Sequence, residues 1–439
     1  MNTKVIEEKR HFVHNKIIIG IDPAKHNHQT MVINELGIPY CKSFSFNNTF
    51  NGFNEELWLK LSKVLKEIDP QKVVFAVEVS INLWQKLCHF LNKKGFNVLM
   101  VSPLYTKHER PKMDNTYSKS DPKDALAVAN CARQGYFNFY KEYSNTSDAM
   151  HRLSITYDKL KKHMAQTKQR IRSQVELIFP ELQSAVDIDT DTARELLRRY
   201  LAPNDFLSMN IYSETIIIEK VSQKQHGLKT LKRIQDAAVN SIGISLSEDL
   251  LFSEKLTMIT WLNQYQLLKE QMKLLLDKLI ELAEQSPLFP ILKSLKGISD
   301  ISASRFIAEL RDPLLFTNYK QIESFAGTNL KLSQSGKFTG YRRITHIGNH
   351  RLRTIIYSMA EETKNYIPEI RIRFIKRQMK QARYKKNVIA SSSNLLKLIT
   401  SMFKDNHTYQ YREESQEELK LLEVKYQDFK NKKKIKKSA

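Results

Sequence analysis

The chain has 439 residues, 41% of them hydrophobic, and a formal net charge of +23; its isoelectric point is near 9.6. That size allows two or three domains with real cores, and a charge so far from zero points to a polyanionic partner, most simply nucleic acid, without separating DNA from RNA. The sequence has no apolar run long enough to span a membrane and no signal-peptide core at its start, and the scattered Cys41, Cys88 and Cys131 give neither a disulfide framework nor a thiolate zinc site and fit a reducing cytosol.

Residues 1–14 read as a polar arm. The stretch 16–22, Lys-Ile-Ile-Ile-Gly-Ile-Asp, is a β-branched run that predicts a strand buried on both faces. Strands at 29–34 and 39–46 follow through short connections, as in an antiparallel meander. A helix is predicted over 54–68, stopped by Pro70. A second buried strand spans 72–78 and ends on Glu78. A helix at 81–94 and a strand at 97–102 complete the order of an RNase H-like fold, an α/β mixed sheet with its first strand at the centre. Residues 103–119 are polar and basic and read as a loop.

Two buried strands therefore end on carboxylates, Asp22 and Glu78. An unpaired buried carboxylate is costly, so such an ending asks for a reason. For Asp22 the bland alternative is a cap or turn in Asp22-Pro23-Ala24-Lys25. The next acids lie in Ser120-Asp121-Pro122-Lys123-Asp124-Ala125, a helix start with Pro in the first turn. Capping and the helix dipole explain Asp121 or Asp124 singly. They do not explain two acids three apart on one helical face, following the strand-end pair in the order this fold needs. Four converging carboxylates repel unless cations sit among them, and oxygen-only ligation suits Mg²⁺ or Mn²⁺. Two such ions can clamp the attacking and leaving oxygens of phosphoryl transfer. Asp114 is the nearest competitor for membership. His26 and His28 read as ordinary loop histidines.

With Gly-Ile-Asp at 20–22, Glu78, and Ser-Asp-Pro-Lys-Asp-Ala at 120–125, the chain resembles the RuvC-like domain of the DEDD transposases. These are recombinases of a large class of bacterial insertion sequences, related to the Piv DNA invertase and also known as bridge-RNA-guided recombinases.

From about 145 to 285 the chain reads as helical. Long amphipathic stretches at 150–179 and 248–282 predict a coiled-coil-like arm, with a compact bundle as the alternative. The resemblance favours the arm, since the family carries a coiled coil between two catalytic domains. Beyond Ser286 a helix, Lys296-Gly297-Ile298-Ser299 and a second helix look like a helix-hairpin-helix. Its turn amides, with Lys296 and Gly297, can hold a DNA phosphate without reading sequence.

The segment 325–337, Phe-Ala-Gly-Thr-Asn-Leu-Lys-Leu-Ser-Gln-Ser-Gly-Lys, precedes Ile344-Thr-His-Ile-Gly-Asn-His-Arg-Leu-Arg353. Between 341 and 388 there are 13 Lys or Arg against 3 acids, a surface suited to phosphate. This part resembles the C-terminal transposase domain of the same family, with its Ser-Gly followed by a Gly-Asn/Asp-x-x-Leu-Arg element. Ser335, 13 residues before Gly348, matches the family's nucleophilic serine, and Ser333 is the fallback. Two departures stand out: no Pro follows Ala326-Gly327, and His346-Ile347 replaces a basic pair. Lys337, Arg342, Arg343, Arg351 and Arg353 are candidate phosphate contacts. A helix over 348–365 and another over 389–403 complete a mainly helical domain. Residues 430–439, with six lysines, read as a disordered basic tail.

The expected organisation is a polar arm (1–14), a RuvC-like domain (15–144), a helical coiled-coil region (145–286), a serine transposase domain (287–405) and a charged tail (406–439). The resemblance implies a bacterial DNA recombinase acting in the cytoplasm at the nucleoid. In it, Ser335 forms a covalent link to a DNA phosphate while Asp22, Glu78, Asp121 and Asp124 hold Mg²⁺. A composite active site in a dimer or tetramer and an element-encoded guide RNA are implied as well. Two other functions fit the residues. One is a metal-dependent nuclease or resolvase using the carboxylates alone; the other is an inactive nucleic-acid-binding protein.

Overall fold

The computed structural model describes residues 3–80, 82–116, 120–331, 334–335, 338–339 and 343–438, with backbone alone at 3, 331, 334–335, 338–339, 343 and 432–438. The chain separates into two compact units, Met1–Glu142 and Tyr143–Ala439. Among the described residues no helix is long and apolar enough to cross a membrane.

The first unit runs α1 (Thr3–Val13), β1 (Ile17–Asp22), β2 (Asn27–Ile33), β3 (Phe44–Asn47), α2 (Leu57–Ser62), β4 (Val73–Glu78), α3 (Trp84–Lys93), β5 (Asn97–Val101), α4 (Pro103–Glu109), α5 (Pro111–Asp114), α6 (Asp121–Arg133) and β6 (Asn138–Phe139). The sheet order is β3-β2-β1-β4-β5-β6. Strands β1, β4 and β5 are mutually parallel, and β2, β3 and β6 antiparallel to their neighbours. This is the expected mixed sheet. Strand β1 is buried on both faces because helices cover both. Ile19 and Ile21 pack with Leu57, Leu61, Leu87 and Leu91 of α2 and α3, while Ile18 packs with Ala125, Val128 and Ala129 of α6.

Three stretches differ from the sequence reading. The polar arm is a helix, α1, because Phe12 and Val13 give it an apolar edge: Val13 is buried and Phe12 meets Phe139 edge-on at 4.8 Å. The loop at 103–119 begins with two helices. Ser102 caps α4 by accepting from the Leu104 amide, and Pro103 and Pro111 open α4 and α5, where a missing N–H costs nothing. His28 is no loop histidine; it lies in β2, fully buried, 5.0 Å from the Phe46 ring and 5.6 Å from that of Phe53.

The second unit opens with α7 (Asn145–Ile178), and α8 (Leu182–Ala185), α9 (Asp191–Leu197), α10 (Pro203–Ser208), α11 (Ile211–Val221) and α12 (Leu228–Val239) lead to α13 (Glu248–Glu284). Helices α7 and α13 run antiparallel: Thr167 bonds Gln264, and Gln174 further on reaches back to Glu254. The short helices close over the far end of this pair around Phe179, Phe206 and Met258. The chain continues through α14 (Leu288–Lys293), α15 (Asp300–Leu310), α16 (Tyr319–Ala326), β7 (Leu330–Lys331), β8 (Gln334–Ser335), β9 (Phe338–Thr339), β10 (Arg343–Ile344), α17 (His350–Thr363), α18 (Pro368–Met379), α19 (Tyr384–Asp405) and α20 (Glu413–Ser438). Helices α14 to α19 enclose one core built on Leu292, Phe306, Ile356 and Leu396. The expected disordered tail is instead the end of α20. That helix docks on α18 through Arg371–Glu423 at 2.6 Å and Lys376–Glu418 at 2.5 Å, and its own Tyr426 is buried.

Candidate active site

The carboxylates of the first unit are placed by backbone geometry. Strands β1 and β4 are parallel with Ile21 opposite Val77, so Asp22 and Glu78 follow as neighbours at the same end of the sheet. Helix α6 crosses β1 directly over Gly20. A Cβ there would stand 2.5 Å from the Ala125 carbonyl oxygen and 2.6 Å from the Ala129 nitrogen, so only glycine permits this approach. Asp22, two residues on, faces the same side, where α6 presents Asp124. Burial raises the Asp22 carboxyl to a pKa of about 6, reinforced by the negative charges of Glu78 and Asp124 and opposed by Arg110. Asp121 is the weakest contributor to that shift and sits exposed at the helix start. Asp114 lies apart, bonded to Lys123 at 2.6 Å.

Helix α4 supplies two donors that the sequence reading missed. The Thr106 hydroxyl donates to Glu78 Oε2 at 2.6 Å. One helical turn later, Arg110 Nε donates to Asp124 Oδ1, and its Nη2 lies 3.7 Å from Glu78 Oε2. Taken as whole residues, all four are at least nine-tenths buried. Among the described residues, no three Asp, Glu, His or Cys side chains are arranged to hold a metal ion; a guanidinium stands between two of the carboxylates instead. The donor set itself is hard oxygen throughout, drawn from two strands and a helix, and its chemistry fits Mg²⁺ or Mn²⁺.

In the second unit, β7 pairs with β10 and β8 with β9, so that Ser335 lies opposite Phe338 at the end of the inner ladder. Ser333, Lys337 and Arg342 lie outside the described residues, and Ser335 and Arg343 are described in backbone only. The foot of this hairpin is tied to α16. The Thr345 amide donates to the Asn329 carbonyl at 2.9 Å, and the Asn349 amide to that of Phe325 at 2.7 Å. Gly327 ends α16 in the left-handed region, at φ +72°. A Cβ on it would strike the Ile347 carbonyl at 2.6 Å, and one on Gly348 (φ +142°) would be 2.8 Å from the Gly327 nitrogen. The two glycines of the Ala-Gly and Gly-Asn elements are thus backbone packed on backbone.

Asn349 caps α17, accepting from the amides of Arg351 and Leu352, and its Nδ2 donates to Glu309 Oε2 at 2.7 Å. Glu309, buried on α15, also accepts from Ser154 at 2.8 Å and from Arg351 Nε at 2.9 Å. Burial alone would raise the pKa of Glu309, but the hydrogen bonds from Arg351 and Asn349 outweigh it and hold the carboxyl below its usual range. Arg353 donates to the Ala326 carbonyl at 2.7 Å. Arg351 and Arg353 are therefore engaged within the unit. In the helix–turn–helix, Gly297 adopts φ +101° against α17, where a Cβ would meet the Tyr366 ring at 2.9 Å. Lys296 is exposed, with its ammonium 5.2 Å from the Tyr366 ring centre.

Two family profiles match the chain in tandem. One, described as a transposase of the DEDD, IS110 type, covers residues 19–180, and the other, described as a transposase of the IS116/IS110/IS902 family, covers 290–373. No curated protein matches the chain. The first profile takes in most of the sheet and all four candidate carboxylates, the second most of the helix–turn–helix, the serine hairpin and the first half of α18. With both halves present in order over more than half its length, the chain belongs to the IS110-type insertion-sequence transposases and is a DNA transposase.

Proposed function

We propose that this transposase cuts and rejoins DNA through Ser335, assisted by a divalent-metal site made of Asp22, Glu78, Asp124 and, at its rim, Asp121. The observation that carries the reading is the convergence of buried Glu78 and Asp124 beside Asp22 at one end of the sheet. Negative charge gathered at such cost serves a cation. Bound there, Mg²⁺ or Mn²⁺ supplies Lewis-acid stabilisation to a phosphate.

The serine step balances without other reagents. The Ser335 oxygen bonds to phosphorus as the bond from phosphorus to one strand end breaks; the serine proton leaves on the DNA hydroxyl so released. A different DNA hydroxyl reverses the step and rejoins the strands. Cations near the serine stabilise the charge that develops on the phosphate. Because Arg351 and Arg353 are engaged inside the unit, their part in this reading is to brace the hairpin. Contact with phosphate then falls to Lys337, Arg342 and Arg343 and, through the turn at Gly297, to exposed Lys296.

The same reading includes a second copy of the chain, in a dimer or tetramer, so that carboxylates and serine act on one DNA. It also includes a guide RNA, with the net charge of +23 as support. The test is the closed junction left when the element excises in cells carrying the gene with its native flanks. Wild type yields the junction, and Asp22→Ala and Ser335→Ala each abolish it. A junction still formed by Ser335→Ala removes that serine as nucleophile and returns the chemistry to the carboxylates.

A further inference from the structure

Helix α4 points two donors, Thr106 and Arg110, at the same pair of carboxylates. Of the two carboxylates, Thr106 reaches only Glu78. Arg110 spans both Glu78 and Asp124, using the breadth of a guanidinium fork that a lysine ammonium lacks. Placing a permanently charged side chain where it is almost fully buried is costly without opposite charge close by. Here two carboxylates supply it. Their own burial is made tolerable in turn by the arginine and the threonine. Arg110 ends α4, its amide bonded to the Thr106 carbonyl at 3.1 Å, and Pro111 opens α5 immediately after. The consequence is a site whose negative charge is already partly neutralised from within the chain.

We propose that Arg110 is the resident counter-cation of this site and competes with the divalent ion for Glu78 and Asp124. It is a positioning residue. It keeps the carboxylates of β4 and α6 at their stations in the metal-free protein, and its guanidinium must release at least one of them for an ion to enter. Metal affinity is thereby set below what the bare carboxylates would give. The inference rests on reading those carboxylates as the metal site.

The experiment measures Mn²⁺ binding to the full-length protein by calorimetry and by the paramagnetic resonance of the free ion, without DNA and without turnover. Wild type, Arg110→Ala, Arg110→Gln, Arg110→Lys and Asp22→Ala are compared, with melting curves taken with and without Mn²⁺. Removal of the competitor makes Arg110→Ala bind Mn²⁺ at least about tenfold more tightly than wild type, since releasing one buried ion pair outweighs the 1.4 kcal/mol that a tenfold change represents. Without metal the same variant melts below wild type, and Mn²⁺ raises its melting temperature by more. Arg110→Gln, which keeps donors but no charge, follows Arg110→Ala, whereas Arg110→Lys returns toward wild type. Equal or weaker Mn²⁺ binding by Arg110→Ala and Arg110→Gln, with Asp22→Ala still abolishing it, overturns the role of Arg110 and leaves the metal site standing. Absence of Mn²⁺ binding in wild type and in every variant overturns the metal site and the role of Arg110 with it.

Discussion

The side-chain amide of Asn349 donates to the buried carboxylate of Glu309 at 2.7 Å. That bond joins the cap of α17 to α15, and Ser154 brings α7 to the same carboxylate. Three helices and the foot of the serine hairpin thus meet on one acid. Glu309→Ala would leave Arg351, Asn349 and Ser154 without their shared acceptor. We expect a loss of about 3–5 kcal/mol, the range for breaking a buried ion pair from one side. Hydrogen exchange at the first amides of α17 in the full chain reads it directly. Glu309→Gln, which keeps the shape, costs less. Unchanged protection in Glu309→Ala would deny that this acid holds the hairpin.

Gly20 carries a second prediction. With Ala125 and Ala129 backbone where its Cβ would go, Gly20→Ala must lift α6 off β1. Overpacking of this kind costs about 1–3 kcal/mol, and it also moves Asp124 away from Asp22. The variant should melt lower and lose excision by more than its residual fold explains. A variant with wild-type melting and wild-type junction yield would mean that α6 is free to shift.

His28 gives the sheet an acid-side weakness. Burial lowers its pKa from 6.5 to about 4, so the folded state prefers the neutral ring. Stability from this group is complete above pH 6.5 and is lost as the pH falls toward 4. At about 1.4 kcal/mol per unit, the loss is on the order of 3 kcal/mol. His28→Phe, placed against Phe46 and Phe53, should abolish this part of the pH dependence. Exchange protection of the β1 and β2 amides at pH 7 and pH 5, corrected for intrinsic rates, checks it. An identical loss in both proteins would show that His28 does not titrate on unfolding.

The order of the sheet could be read in advance because β1 and β4 are uninterrupted apolar runs, and a buried run ending on an acid asks for a reason. The glycine in β1 also had a legible sign, since glycine inside a strand marks a close approach, but what approached it depends on where α6 lies. Arg110 has no local mark in a stretch as polar and basic as 103–119, where only Ser102-Pro103 and Arg110-Pro111 hint at helix starts. Helix α1 was hidden by its charged face, and its apolar edge matters only once Phe139 is beside it. Glu309 looked like any acid on an amphipathic helix. Its partners come from residues 154, 349 and 351, far apart along the chain, and no local pattern marks them.

The proposed covalent step at Ser335 would leave a protein–DNA link that can be isolated. Full-length protein, incubated with DNA bearing the element end and with RNA from the same cells, would be denatured and digested, and the DNA-linked peptide identified by mass spectrometry. Wild type is expected to carry a phosphodiester on Ser335, Ser335→Ala none, and Asp22→Ala a strongly reduced yield. DNA cleavage with no protein adduct, or an adduct on Ser333, would contradict this role of Ser335.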